Sequence, residues 1–192
     1  MIAIIDYNAG NISSVQNALN RLGYDSIITR DKNQIVNADK VILPGVGEAS
    51  SAMSYLKKYE LDSLIKELKQ PFLGICLGMQ LMCKYSEEGT VDCLGIFDID
   101  VKLFPPEEKV PHMGWNDLSA LKGDLFKNIK PLDDVYFVHS FYAELGRDTA
   151  AQCDYILPFS AAFQKDNFYA TQFHPEKSAA IGEKILKNFL EL

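Results

Sequence analysis

The segment Pro71-Phe72-Leu73-Gly74-Ile75-Cys76-Leu77-Gly78-Met79-Gln80 constrains this chain more than any other. An apolar run of strand length leads into Cys76, which is flanked by glycines two positions away on each side, and Leu77 to Tyr85 then reads as a helix. This is the form of a nucleophile elbow. Glycine is needed at 74 and 78 because a β-carbon there obstructs the tight strand-to-helix crossing. The crossing turns the cysteine outward, and the helix N-terminus favours its thiolate. A cysteine in an apolar run is otherwise an inert core residue.

Elements alternate regularly before the elbow. Strands are expected at Ile2 to Asp6, Ser26 to Thr29 and Lys40 to Leu43, and helices at Asn11 to Leu22, Ala49 to Lys57 and Leu61 to Lys69, the order that builds a parallel sheet. In the first helix Asn11 is the candidate cap, Ile12, Val15, Leu19 and Leu22 share a face, and Gly23 follows the end. Past the elbow the pattern changes to short strands, expected at Leu94 to Phe104, Val135 to His139, Ala151 to Leu157 and Ala161 to Gln164, mainly antiparallel. A strand at Phe168 to Phe173 and a helix at Ala180 to Leu190 close the chain, the helix with Ile181, Ile185, Leu186 and Phe189 on one stripe. The reading is one α/β domain over residues 1–192: a flavodoxin-like, open, mostly parallel sheet with flanking helices and an added antiparallel region.

Composition narrows the class. A chain of 192 residues with 47% hydrophobic and 23% charged residues has ample core for one domain. A net charge of −7 without a Lys/Arg cluster argues against nucleic-acid partners. No apolar run approaches the roughly 20 residues of a membrane span. Cys76, Cys83, Cys93 and Cys153 lack paired CxxC spacing, and the first residues lack a signal pattern, which points to reduced thiols in a cytoplasmic protein.

The second chemical word is His174-Pro175-Glu176. In extended chain, residues two apart share a face, so His174 and Glu176 project the same way, and Pro175 marks the strand end. Open α/β sheets carry their sites at such ends. An imidazole that takes and returns a proton, and a carboxylate that orients it, complete a Cys-His-Glu triad with Cys76. Leu43-Pro44-Gly45-Val46-Gly47, a strand followed by a glycine turn, is the third word. Ser50 occupies the third glycine place of a dinucleotide loop, so that reading fails. As part of an oxyanion hole, the Gly45-Val46-Gly47 loop supplies one N–H and Leu77 another.

These words, in this order, resemble the class I, triad-type glutamine amidotransferases, which carry Pro-Gly, Gly-x-Cys-x-Gly-x-Gln and His-Pro-Glu. Within them the chain is similar to glutaminase subunits that serve histidine synthesis. That similarity rests on Tyr7-Asn8-Ala9-Gly10-Asn11, Pro44-Gly45-Val46-Gly47, Gly78-Met79-Gln80, Pro111-His112-Met113-Gly114-Trp115-Asn116, Tyr136-Phe137-Val138-His139-Ser140-Phe141 and His174-Pro175-Glu176-Lys177-Ser178. The resemblance implies that Cys76 attacks the side-chain amide of glutamine, His174 protonates the departing ammonia, and a thioester hydrolyses to glutamate with Glu176 polarising His174. It assigns Gln80, Glu88, His139, Ser140 and Phe141 to the glutamine pocket, and needs no cofactor and no metal. It further implies a heterodimer with a (β/α)8-barrel cyclase subunit, reached by channelled ammonia, with Asn11, Met113, Trp115, Tyr136 and Lys177 at the interface. By the same resemblance, loop glycines permit a peptide rotation between a blocked and a donating oxyanion hole, completed by the liganded cyclase.

Four rivals have discriminating signs. A cysteine peptidase or stress-type hydrolase of this superfamily generally lacks His-Pro-Glu and the Pro-Gly-Val-Gly loop. A metal site on His112, His139 and His174 lacks HxxxH or HxH spacing. A catalytically dead module does not need all three triad residues. A paralogous glutaminase for surface-sugar amidation shares the triad and differs in its genetic context.

Overall fold

A computed structural model describes residues 1–192. In chain order the first half runs β1 (Ile2–Ile5), α1 (Ile12–Arg21), β2 (Ser26–Thr29), α2 (Lys32–Val36), β3 (Lys40–Leu43), α3 (Ala49–Lys58), α4 (Leu61–Glu67), β4 (Phe72–Ile75) and α5 (Leu77–Met82). Short strands β5 (Tyr85–Ser86), β6 (Val91–Asp92) and β7 (Asp100–Leu103) follow, then β8 (His112–Asp117), β9 (Asp134–His139) and β10 (Phe141–Ala143). The chain ends with β11 (Thr149–Tyr155), β12 (Leu157–Lys165), β13 (Phe168–Thr171), a 3-10 turn at Pro175–Lys177 and α6 (Ala179–Leu190).

The main sheet has seven strands in the order β11-β12-β13-β4-β3-β1-β2. The run β13-β4-β3-β1-β2 is parallel, and β11 and β12 extend it antiparallel. Alternation along the parallel strands feeds two cores. Ile2, Ile4, Ile42, Leu73 and Ile75 pack with Val15 and Leu19 of α1 and Ile185, Leu186 and Phe189 of α6. Ala3, Ile5, Val41, Leu43 and Phe72 pack on the other face with Met53 and Leu56 of α3, Ile65 of α4, and Met79 and Met82 of α5. Because both faces are covered, these strands read as continuous apolar runs rather than as alternating ones.

The first half matches the expected order, with one addition and several changes of boundary. The short α2, capped by Asp31, which accepts from Gln34 N, has too few apolar residues to show a period. The helix after the elbow ends at Met82, not Tyr85, because Tyr85 pairs with Asp92 and Asp100. Of the expected strand Leu94 to Phe104, only Asp100–Leu103 is strand; Leu94, Ile96 and Phe97 are buried without joining a ladder. The expected strands at 151–157 and 161–164 form a hairpin, with Ile156 at φ 63 in its turn. His112–Asp117 is a strand as well as a motif, paired antiparallel with β9 so that His112 faces His139 and Trp115 faces Tyr136. No helix is long and apolar enough to cross a membrane.

Candidate active site

Strand β4 delivers Cys76 at its C-terminal end with φ 53 and ψ −107. Such a backbone costs about 1–3 kcal/mol for a residue with a β-carbon and persists only where the surroundings hold it. Cys76 N–H donates to Thr171 O at 2.8 Å, tying the elbow to β13. A β-carbon on Gly78 would lie 1.8 Å from Leu43 O, and one on Gly74 would lie 2.5 Å from Met82 Sδ. The two glycines are therefore required by the packing of helix on strand, as the sequence pattern implies.

The sheet's register brings His174 to the same end. Phe168 to Thr171 pair with Phe72 to Ile75, so the chain leaves β13 beside the elbow. His174 N–H donates to Tyr136 O at 3.0 Å, and Ser178 Oγ donates to His174 O at 2.6 Å, fixing the backbone on both sides of the ring. Nδ1 meets Glu176 Oε1 at 2.7 Å, with both side chains fully buried. Nδ1 donates in this contact, so Nε2 is the nitrogen left for the thiol. Burial disfavours a charged imidazole, but Cys76 and then Glu176 outweigh it, and the His174 pKa is raised to about 9. The sequence-predicted triad is thus one cluster.

Asn11 belongs to this cluster too. Its side chain caps nothing; the residue is left-handed, φ 72, and Nδ2 donates to Glu176 Oε1 at 2.6 Å. Asparagine before an apolar-periodic run reads as a helix cap, and the family resemblance alone assigns Asn11 to the interface. Only the fold puts Glu176 within its reach.

A cavity of about 300 Å³ opens beside the sulfur, lined by Val46, Gly47, Cys76, Leu77, Gln80, Glu88, Pro111, Val138, His139, Ser140 and Phe141. All five residues expected to hold substrate are in its wall. The Glu88 carboxylate accepts from Ala49 N–H at 2.9 Å, yet burial raises its pKa. Gln80 is buried and donates through Nε2 to Phe141 O at 3.0 Å and to Gln172 Oε1 at 2.9 Å. Of the expected oxyanion donors, Leu77 N–H is turned to Gly45 O at 3.3 Å, and Val46 O accepts from Gly10 N–H at 3.4 Å. Gly45 lies where a β-carbon would run into the buried Tyr7 hydroxyl.

Met113 and Trp115 are 61% and 54% exposed, on the outer face of the β8–β9 hairpin, and Lys177 is exposed on the turn after His174. Trp115 stacks edge-on with half-buried Tyr136, ring centroids 6.0 Å apart. Trp115 is therefore no core aromatic.

Two residues with chemistry went unassigned in the sequence. Gln172 is fully buried, with Nε2 donating to Cys76 Sγ at 3.7 Å. His112 Nδ1 lies 3.0 Å from His139 Nε2, while His139 Nδ1 lies 2.7 Å from Phe141 O. A carbonyl only accepts, so His139 is protonated on Nδ1 and accepts at Nε2 from His112 Nδ1–H. Burial lowers both pKa values, to about 4 for His112 and about 3 for His139. The remaining thiols are less available: burial raises Cys83, and raises Cys93 and Cys153 to about 12.

The family model described as glutamine amidotransferase class-I matches residues 3–192, and the chain belongs to that family. It is 65% identical, over 100% of its length and 99% of the relative's, to the imidazole glycerol phosphate synthase subunit HisH of Bacteroides fragilis (strain YCH46). To the subunit of the same description from Escherichia coli (strain K12) it is 49% identical, with the same coverage. Among solved structures, one described as a glutamine amidotransferase superposes with a TM-score of 0.77 at 20% identity, covering 100% of this chain and 98% of the other. A glutamine amidotransferase from Thermotoga maritima gives 0.66 at 17% identity, with 99% and 82% covered. These two likenesses speak for the fold.

Proposed function

We propose that this chain is the glutaminase subunit of an imidazole glycerol phosphate synthase. It hydrolyses glutamine and passes the ammonia to a (β/α)8-barrel cyclase subunit in histidine synthesis. The observation that carries the reading is the convergence of Cys76, His174 and Glu176 at the edge of a cavity walled by Gln80, Glu88 and the Val138–Phe141 corner. The full-length similarity to HisH subunits supports the choice of pathway.

The Cys76 thiolate attacks the side-chain carbonyl carbon of glutamine, and the C=O pair moves onto oxygen. Protonated His174 gives its proton to the amide nitrogen as the C–N bond breaks, releasing ammonia and leaving a thioester. Neutral His174 then takes a proton from water, hydroxide adds to the thioester carbon, and the C–S bond breaks to give glutamate and the thiolate. A His174 pKa near 9 suits the first transfer, because the imidazole is charged whenever the thiolate faces it. Glu176 stabilises that charge. Glu88 and Gln80 offer an acceptor and an amide to the charged amino-acid end of the substrate.

The oxyanion hole is closed in this conformation, since Leu77 N–H is spent on Gly45 O and Gly10 N–H holds Val46 O. Gly47, at φ 134, can absorb a rotation of this loop. The free subunit is accordingly a poor glutaminase, and docking of the liganded cyclase opens the hole. Met113, Trp115, Tyr136, Asn11 and Lys177 face the cyclase in this reading.

One experiment tests partner, substrate and regulation together: glutamine turnover by the purified chain alone, with cyclase, and with cyclase plus its nucleotide substrate. Equal rates in all three would overturn the coupling. Cys76→Ser should abolish glutamine-dependent synthesis and leave ammonia-dependent synthesis intact. Rescue of a histidine auxotroph lacking this subunit separates the proposal from a sugar-amidating paralogue.

A further inference from the structure

Phe141 O fixes the direction of a hydrogen-bond chain that ends on the nucleophile. A carbonyl cannot donate, so the Gln80 amide must turn its nitrogen toward Phe141 O, 3.0 Å away. The second hydrogen of that nitrogen then points to Gln172, 2.9 Å away, and Gln172 must answer with its oxygen. The Gln172 amide cannot flip without facing nitrogen to nitrogen. Its own Nε2 is thereby committed to Cys76 Sγ at 3.7 Å. On another side, Val138 O accepts from the thiol at 3.9 Å.

The two neighbours of the sulfur favour opposite protonation states. Val138 O can accept from the sulfur only as S–H, whereas the Gln172 N–H is a better partner for the anion. The helix dipole is a weaker contributor than the sequence suggests, because α5 ends at Met82. Gln172 is wholly buried, so no water competes for its donor.

We propose that Gln172 is a further catalytic residue of the glutaminase site. It donates to the Cys76 sulfur and stabilises its thiolate, with its amide held in the donating orientation by Gln80 and Phe141 O. The proposal rests on Cys76 as the nucleophile. It gives Gln80 a second task beside contact with substrate.

The test reads the thiolate directly and needs no cyclase. The rate of Cys76 carbamidomethylation by iodoacetamide is followed against pH by mass spectrometry of the Cys76 peptide, in the intact chain and in Gln172→Met. The midpoint in the variant should lie higher by about one pH unit, the effect of losing one hydrogen bond to a charged group. An unchanged midpoint in a folded variant overturns the proposal. Should Gln172→Met not fold, Gln80→Met frees the Gln172 amide to turn, and a smaller upward shift is expected; no shift there is equally fatal. In the cyclase complex, Gln172→Met should lower kcat with KM nearly unchanged, whereas a raised KM alone would make Gln172 a substrate contact and refute the proposal. If Cys76→Ser kept its glutaminase, the triad reading itself would fail, a result separable from the alkylation midpoint.

Discussion

Two buried histidine sites lie at the same end of this molecule and carry opposite charge tendencies. His174 is completely buried, yet its pKa is raised to about 9. His139, 6% exposed, is lowered to about 3, and its partner His112 to about 4. Burial acts the same way on all three. The difference lies in what each ring faces: His174 has a carboxylate at 2.7 Å and a thiol opposite, while His139 has a carbonyl and a second imidazole. The thiol and the carboxylate outweigh desolvation at His174, whereas the neutral Phe141 carbonyl offsets it only in part at His139. One histidine is therefore fit to move protons, and the other two form a neutral strut across β8 and β9 behind the pocket wall.

The sharpest way to break this contrast is to make His174 resemble His139. Glu176→Gln removes the anion and keeps the shape. The His174 pKa, followed by NMR, should fall from about 9, with Cys76 still holding part of the rise, and glutaminase activity of the cyclase complex should drop by about 10²–10⁴-fold. Unchanged activity would show that Glu176 does not tune the ring.

The neutral pair predicts a smaller, pH-dependent effect on stability. Both folded-state pKa values lie below the unfolded value of about 6.5. Between them the unfolded chain binds more protons than the folded one, so this contribution is complete above about pH 6.5 and is lost as pH falls toward 4 and 3. Thermal unfolding should show a falling Tm across that window. His112→Phe should flatten the fall, and at neutral pH should cost about 1–3 kcal/mol for the unpaired His139 Nε2. An equally steep acid limb in the variant would mean that other groups carry it.

Asn11 gives the finest test. In Asn11→Gly the left-handed backbone is kept without strain, so stability should fall only by the lost hydrogen bond to Glu176, about 1.5 kcal/mol, while loss of that amide should lower glutaminase activity by about tenfold. A variant that lost stability and kept its activity would return Asn11 to a purely structural role.

How much of this was legible depends on the distance over which each signal acts. The elbow is a local device, so Gly74, Cys76 and Gly78 could be read together from their spacing. The alternation expected of an extended chain from Gln172 through His174 to Glu176 does not hold, because β13 ends at Thr171 and Glu176 lies in a 3-10 turn, and it is that turn which brings Glu176 back onto the His174 ring. Gln172 was obscured because a glutamine has no chemistry of its own until a donor and an acceptor fix its amide. Asn11 does stand at the N-cap position of α1, but the local pattern could not show that its amide leaves the helix to meet Glu176, 165 residues away. The His112 and His139 pair could not be read at all, since only the β8–β9 register sets the rings opposite each other.

The sequence by itself determined the alternation of strands and helices, the glycine-framed elbow at Cys76, the histidine–glutamate word and the family, because each rests on short words that are local along the chain. The tertiary structure alone decided which of three histidines is charged, which way each amide points and that Leu77 N–H is turned to Gly45 O. Those properties depend on the neighbours that the sheet order brings within a few ångströms, and a pKa or an amide orientation has no value until those neighbours are in place.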